Sequence, residues 1–547
     1  MKKDSDMEMR ALLAVVASLL ILLAFNTWYA KRYAPSTSPK SRPQASSPAR
    51  KEARPETPLP LKERRSSPSP SLLRVEVLPV ETELFSAQMT EAGGRFLSFR
   101  LKNYREDKGP KAPLVELVSA PKQGLPIEVY PAGHPELAVR PVKGEPRALR
   151  LTDAERGKIL FRPQGTSPLS LERVFSFSAK SYLFHLEVKV TNPGEKPVQD
   201  RLLFRIVGAP FSRSTRYVFK GPAYMDGKKL EEIKLKKPGS FREYAGPVSW
   251  VAYEDAYFIL ALLPEDRKGP WRLTFRRLER DTDEVILWSP EFTLSPGASK
   301  TFRLAAYFGP KRMEDLKAVG RGLPKALHFG FFDPVAKPLL WCLKFFHRYV
   351  GNYGLAIILL TFLVRIIFWP LNHLSYKSMK KMQEIQPIIQ RLREKYQDDP
   401  QRLQQELMQV YRTYKINPFS GCLPMLIQIP VFFALYKVLL QAIELRHAPF
   451  WAWIDDLSAP DRLPVGFDIP YLHGLPVLTI LMGISMYVQQ KLSPTSLDPT
   501  QARLMLIMPV FFTVLFVNFP SGLVLYWLTN NLLSIVQQVM INKLHAR

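Results

Sequence analysis

The run GLAIILLTFLVRIIFWP, Gly354 to Pro370, is apolar apart from one charge, Arg365. A stretch of this kind has its natural solvent in a bilayer, whose hydrocarbon core takes about 20 apolar residues to cross as a helix. An arginine at the centre of such a helix costs about 2.5–3.5 kcal/mol on insertion scales, so a chain that keeps one supplies it with water or a polar partner. Two readings are open. Either Arg365 faces a wet cavity inside the membrane, or it snorkels to the headgroups, since Pro370 is only roughly 8 Å further along a helix.

The rest of the chain is not uniformly apolar: 547 residues with 46% hydrophobic content point to a polar part joined to a membrane part. The formal charge of +27 suits life against anionic lipid. Nucleic acid is the competing partner for such basicity, but no recognition motif accompanies it. Cys342 and Cys422 are far apart and have no His or Cys near them at zinc-ligand spacing, so neither a disulfide framework, a metal site nor any other cofactor is expected.

Ala11 to Ala30 is a charge-free stretch of 20 residues. It reads as a signal-anchor helix closing a segment 1–30. A cleaved signal peptide is the alternative, disfavoured by Asp4, Asp6 and Glu8 upstream and by bulky Trp28 where a small residue is wanted. Residues 31–71, rich in Pro, Ser, Lys and Arg, read as a disordered tether. From 72 to 322 alternation and turn chemistry take over, as in YLFHLEVKV (Tyr182 to Val190) followed by TNPGEKP, and in FRLAAYF ahead of Gly309 and Pro310. This predicts a large all-β sandwich. It contains no Ser/His/Asp order and no evident carboxylate pair; His134 and His185 read as ordinary strand or surface residues.

The segment 323–350 ends in PLLWCLKFFHRYV, with Leu339, Leu343, Phe346 and Val350 on one face of a helix. An interfacial amphipathic helix is expected, or else a helix packed on the β domain. Five spans follow within 351–547, at about 354–371, 423–443, 472–489, 504–519 and 522–541. Loop charges orient them: Asn372 to Ser420 carries nine Lys or Arg, Glu444 to Tyr471 only Arg446 and Arg462. The positive-inside rule makes the first loop cytoplasmic, both termini cytoplasmic and the β domain extracytoplasmic. That loop, 373–416, reads as a helical hairpin broken at Asp398, Asp399 and Pro400, with Leu403, Leu407, Val410, Tyr411 and Tyr414 on one face of its second arm. Its basic side is a solvated face or a contact for anionic lipid, a ribosome or a targeting receptor.

Four ordered motifs, SYKSMKKMQEIQPIIQRLREKY, NPFSGCLPMLIQIPVFFALY, LRHAPFWAWIDDLS and FPSGLVLYWLTNNLLSIVQQ, resemble the successive signatures of the YidC/Oxa1/Alb3 membrane protein insertases. The anchor and large β domain resemble the layout of the form found in Gram-negative bacteria. The resemblance implies an inner-membrane, multi-pass insertase and folding chaperone that is not an enzyme, whose partners are nascent membrane proteins, membrane lipids and the general secretion translocon. It implies a five-helix core around a hydrophilic groove open to the cytoplasm and to lipid, with Arg365 at the position whose arginine points into it. This favours the wet cavity over snorkelling. Thr361, one turn before Arg365, and Gln428, Gln490, Tyr526, Trp527 and Asn530 are the further candidates for the groove; Trp527 stands where some members have tyrosine. Ile429, Pro430, Phe432, Phe511, Phe512 and Leu515 are candidates for a greasy slide along which a substrate helix leaves. Lys437 departs from the family pattern and lies near the outer end of its span, where it would snorkel.

Two rival classes find little support. A secondary transporter would show paired halves and an intramembrane acid. An intramembrane protease would need a Ser/His or Asp pair, whereas His473 falls at a membrane edge and Ser521 in a short outer loop. No GxxxxGK[ST] loop occurs, so no nucleotide hydrolysis is expected.

Overall fold

The computed structural model describes residues 76–545 except 110, 166, 213–217, 267–268, 398, 415–422, 468, 471 and 493–498. The expected anchor (1–30) and tether (31–71) lie outside the described residues. Residues 74–496 and 505–547 form one compact unit that holds the β domain and the helices apart from residues 499–504.

The β domain is built on a nine-stranded antiparallel sheet in which the two segments singled out by their alternation are neighbours. Leu183–Thr191 lies against Ser299–Pro310, Leu183 opposite Tyr307 and Thr191 opposite Ser299. Every second residue of Ser170–Ser178 and of Leu183–Thr191 is buried, so one face of this part of the sheet meets the core and the other is wetter. Phe258–Pro264 is buried throughout, because here both faces are covered. Two five-stranded sheets complete the sandwich. One brings Phe85, Phe96 and Phe99 onto Phe175, Phe184 and Phe308; Phe96 meets Phe175 edge-on at 5.8 Å and Phe184 meets Phe308 at 5.2 Å. The other packs at the far end, where Tyr224 stacks on Phe275 at 5.7 Å. The turn TNPGEKP is tied down by Asn192, whose amide donates to the carbonyls of Lys196 and Leu294 while its oxygen accepts from the Gly194 N–H.

Between these layers lies a charge cluster with no counterpart in the sequence reading. Arg205 donates to Glu128 at 2.7 Å and to Glu284 at 2.5 Å, and Arg95 reaches the second Glu128 oxygen at 2.7 Å. Burial alone would raise the Glu128 carboxyl, but Arg205 and Arg95 outweigh it and hold it below its ordinary value. A depressed carboxylate contributes stability at pH above its unfolded value, about 4.3, which is lost as pH falls through the folded value. Glu128→Ala leaves two guanidinium groups short of a partner, and is expected to cost about 3–5 kcal/mol. Urea unfolding of the full chain, followed by β-sheet circular dichroism, measures it.

After the last strand come helix α1 (Met313–Val319) and helix α2 (Asp333–Val350). Helix α2 is apolar on two faces: Leu339, Leu340 and Leu343 are buried, while Trp341, Phe345 and Tyr349 form an exposed aromatic row at one-turn spacing. The buried face packs on α3 (Tyr353–Ile367) and on the later helix Leu423–Gln441. Lys344 of α2 bonds Glu314 of α1 at 2.5 Å and Glu444 at 3.0 Å. Those carboxylates overcome its desolvation and hold the ammonium above its ordinary value. Arg446 adds a second clasp, donating to the Glu106 carbonyl at 3.1 Å and lying over the Tyr257 and Phe258 rings.

Helix α3 does not run to Leu371 as the apolar stretch had implied. It ends at Ile367 and the chain turns by 60° into α4 (Trp369–Glu384), where Pro370 sits in the first turn. Proline is tolerated there because its missing N–H has no partner at a helix start. Helices α5 (Gln386–Lys395) and α6 (Pro400–Thr413) follow, and Met382, Ile385 and Ile389 pack with Leu407, Val410 and Tyr411. The remaining helices are α7 (Leu423–Gln441), α8 (Val477–Leu492), α9 (Pro499–Phe516) and α10 (Ser521–His545). Among the described residues no single helix is long and apolar enough to cross a membrane; the bent pair Tyr353–Ile367 and Trp369–Ser375 meets the requirement together.

Candidate functional site

Helix α3 begins with Asn352, whose side chain accepts from the Leu355 N–H, and its second half carries Thr361 and Arg365 on one face. Because the helix stops at Ile367, Arg365 lies in its last turn, where the partial negative charge of the helix end favours a cation. The side chain turns inward: Arg365 is 8% exposed, and its Nη2 donates to Gln537 Oε1 of α10 at 2.9 Å. Among the described residues no carboxylate pairs with it, and neither Arg365 Nε nor Gln537 Nε2 finds an acceptor. A buried donor without a partner costs about 1–3 kcal/mol, more when charged, so such a site has its lowest free energy when water or a passing acceptor reaches it. Thr361 is buried, but its hydroxyl donates to the Ile357 carbonyl at 2.7 Å and is thus engaged within its own helix.

A second polar set links α7 to α10. Gln428 Nε2 donates to Asn530 Oδ1 at 3.2 Å and, at 3.4 Å, to the Tyr526 hydroxyl. Tyr526, Asn530, Ser534 and Gln537 follow one another at helical spacing, so α10 carries a continuous polar stripe from the Gln428 contact down to Arg365. Neighbouring Asn531 turns instead to α8, donating to Ser485 Oγ at 2.9 Å. Gln490, half-buried near the end of α8, enters neither set among the described residues. Gln537 and Ser485 were absent from the sequence reading, although Gln537 stands two turns beyond Asn530 inside a motif that had been singled out.

Trp527 is drawn into an aromatic cluster. It meets Phe432 edge-on at 4.9 Å, Phe516 at 5.1 Å and Phe512 at 6.0 Å. The six apolar candidates thereby divide: Phe432 and Phe512 are partly covered by this cluster, whereas Ile429, Pro430, Phe511 and Leu515 are exposed on α7 and α9. The chain between α7 and α8 is a folded loop, in which Asp456 accepts from the His447 and Ser458 N–H groups and Asp461 accepts from the Trp453 indole at 2.6 Å. The described residues contain no group of three or more His, Cys, Asp or Glu able to hold a metal ion. The described residues thus bring together a buried cation, a polar stripe leading from it, and an exposed apolar face.

The sequence profile described as 60Kd inner membrane protein matches residues 345–547, and that of the YidC periplasmic domain matches 77–342. A membrane protein insertase YidC from Syntrophobacter fumaroxidans is 40% identical, over 99% of this chain and 100% of that one. Another, from Pelobacter propionicus, is 39% identical over 98% of this chain and 99% of that one. A solved structure of an active YidC insertase with its first transmembrane domain resolved covers 85% of this chain and 93% of its own, at 22% identity and a TM-score of 0.36, a likeness too loose to place any residue.

Proposed function

The chain belongs to the family of YidC membrane protein insertases, inner-membrane proteins with a periplasmic domain, and we propose that Arg365 and the polar stripe of α10 receive the polar tail of a substrate whose apolar helix then leaves for lipid over α7 and α9. The observation that carries this reading is the buried Arg365 guanidinium, which among the described residues has one neutral acceptor and an unanswered N–H. A cation kept at that cost inside apolar helices draws in water and acidic side chains.

The physics follows from the barrier a tail meets. An Asp at mid-bilayer costs about as much as the arginine, roughly 2.5–3.5 kcal/mol. Hydrated polar surface shortens the dry distance, and attraction to Arg365 at intermediate dielectric contributes a few kcal/mol at close range. The tail enters half-way without nucleotide hydrolysis, and the helix behind it slides across Ile429, Pro430, Phe511 and Leu515 into lipid, with Phe432 and Phe512 as a firmer aromatic backing. The sandwich is periplasmic, both termini and the α5–α6 hairpin are cytoplasmic, and the hairpin's basic surface meets a ribosome, a targeting receptor or the secretion translocon. At 15 residues α3 rises about 22 Å, short of about 30 Å of hydrocarbon, and the turn at Phe368 carries the chain on through α4.

Photo-crosslinking tests the path. A photoreactive residue at Asn530 is expected to capture the polar tail of a nascent single-span protein, one at Phe511 its apolar helix, and one at exposed Trp341 neither. Substrate captured equally from all three positions, or from none, overturns the assignment.

A further inference from the structure

A cleft of about 800 Å³ opens where the outer end of α7 meets the start of α2 and the edge of the sandwich. Its lining carries four Lys or Arg against two acids, Glu232 and Asp281. Much of the opposite charge is already engaged. Glu232 bonds His328 at 3.0 Å, and Arg277 is held by Asp283 at 2.5 Å. Lys437 of α7 stands half-buried within electrostatic reach of Lys234 and Glu232, and among the described residues it forms no ion pair within 4 Å. The rim is apolar: Phe331 is 73% exposed and Phe433 42%, and Phe433 stacks on Phe332 at 5.6 Å.

Height along α7 fixes what such a cleft can meet. Lys437 is nine residues beyond Gln428, about 14 Å at the helical rise, close to half of about 30 Å of hydrocarbon. If Gln428 lies near mid-membrane, the Lys437 ammonium is level with the phosphates, while Phe331 and Phe433 lie along the first acyl methylenes.

We infer that this cleft binds a phosphate-bearing anion, and that its source is the headgroup of an anionic phospholipid in the outer leaflet, with Lys437 and Lys234 closing on the phosphodiester. Two ammonium groups lining one cleft, whose shared carboxylate Glu232 is already bonded to His328, are relieved by a further anion, and charge-assisted bonds to phosphate are the strong class. The volume suits a headgroup, and the aromatic rim favours a lipid over free phosphate. A lipid here would bridge the sandwich edge (Lys234), the start of α2 (Phe331) and α7 (Lys437), fixing the β domain against the membrane surface. The outer-leaflet placement rests on the orientation proposed above.

Purified full-length protein, stripped of lipid and refilled with equal phosphatidylglycerol and phosphatidylethanolamine, is weighed by native mass spectrometry. Lys234→Gln/Lys437→Gln is expected to retain phosphatidylglycerol about fivefold more weakly, equivalent to about 1 kcal/mol, with phosphatidylethanolamine unchanged. Lys234→Gln alone, at an exposed position, is expected to show a smaller loss in the same direction; Lys491→Gln, on the far end of α8, none. Equal phosphatidylglycerol retention by wild type and both cleft variants overturns the site. Displacement of the lipid by millimolar inorganic phosphate makes free phosphate the ligand and overturns the lipid source. Orientation is read separately: Val139→Cys, exposed on the sandwich, in a chain carrying Cys342→Ser and Cys422→Ser, is expected to react with a membrane-impermeant maleimide from the periplasmic side. Labelling from the cytoplasmic side alone overturns the orientation and the leaflet, whatever the lipid retention.

Discussion

Arg365→Ala is expected to lower insertion of a single-span substrate with an acidic tail by about tenfold, the effect of roughly 1.4 kcal/mol of lost attraction, while a substrate with a neutral tail is inserted nearly as before. Arg365→Lys is expected to keep most of the activity, because the charge stays on the same face of α3 beside the polar stripe. The contrast between tails separates electrostatics from simple damage. Removing the guanidinium also leaves Gln537 Oε1 without its donor, a cost of about 1–3 kcal/mol that falls on folding and so on every substrate alike. Protease protection of the substrate in proteoliposomes, normalised to folded insertase, measures the difference. Equal insertion by the alanine variant for acidic, neutral and basic tails would remove Arg365 from the mechanism.

What the sequence disclosed of this site depended on whether the signal was local. Arg365 was legible because one charge in an apolar run is conspicuous in one dimension. Its partner was less so: a glutamine near the end of a helix carries no mark until the spacing Tyr526, Asn530, Ser534, Gln537 is laid on a wheel. Apolar residues gave the least information. Phe511 and Phe512 are adjacent and chemically identical, yet one is exposed and the other sits against Trp527, which only the packing of α9 on its neighbours decides. The β domain shows the same division. Alternation marks strands covered on one face, such as Leu183–Thr191, but says nothing of pairing, and Arg205 meets Glu128 and Glu284 across separations of 77 and 79 residues. The apolar run continued unbroken to Leu371, and the bend at Phe368, with Pro370 opening the next helix, emerged only in the structure.

Gly354→Val is expected to be the most damaging single substitution in the helical half, because it strikes the joint from which α3 takes its position. A Cβ at Gly354 would lie 2.0 Å from Cδ2 of the Phe450 ring, 2.4 Å from its Cγ and 2.8 Å from its Cβ, so no ring flip clears it. Phe450 itself is fixed: its N–H donates to the Ile454 carbonyl at 2.8 Å, and its carbonyl accepts from Asn352, the residue that caps α3. Displacing the ring therefore disturbs the loop and the cap together, and moves the helix that delivers Arg365 to Gln537. Overpacking of this kind costs about 1–3 kcal/mol before the cap is counted, and loss of the cap adds about 1 kcal/mol. The expected result is a drop in thermal stability in detergent with loss of insertion for acidic and neutral tails alike, unlike the tail-selective loss at Arg365. Phe450→Ala, harmful alone, should partly rescue Gly354→Val by removing the atoms it strikes, with a coupling of about 1–3 kcal/mol in the double-mutant cycle. Strict additivity of the two changes would show that α3 is not keyed through this contact.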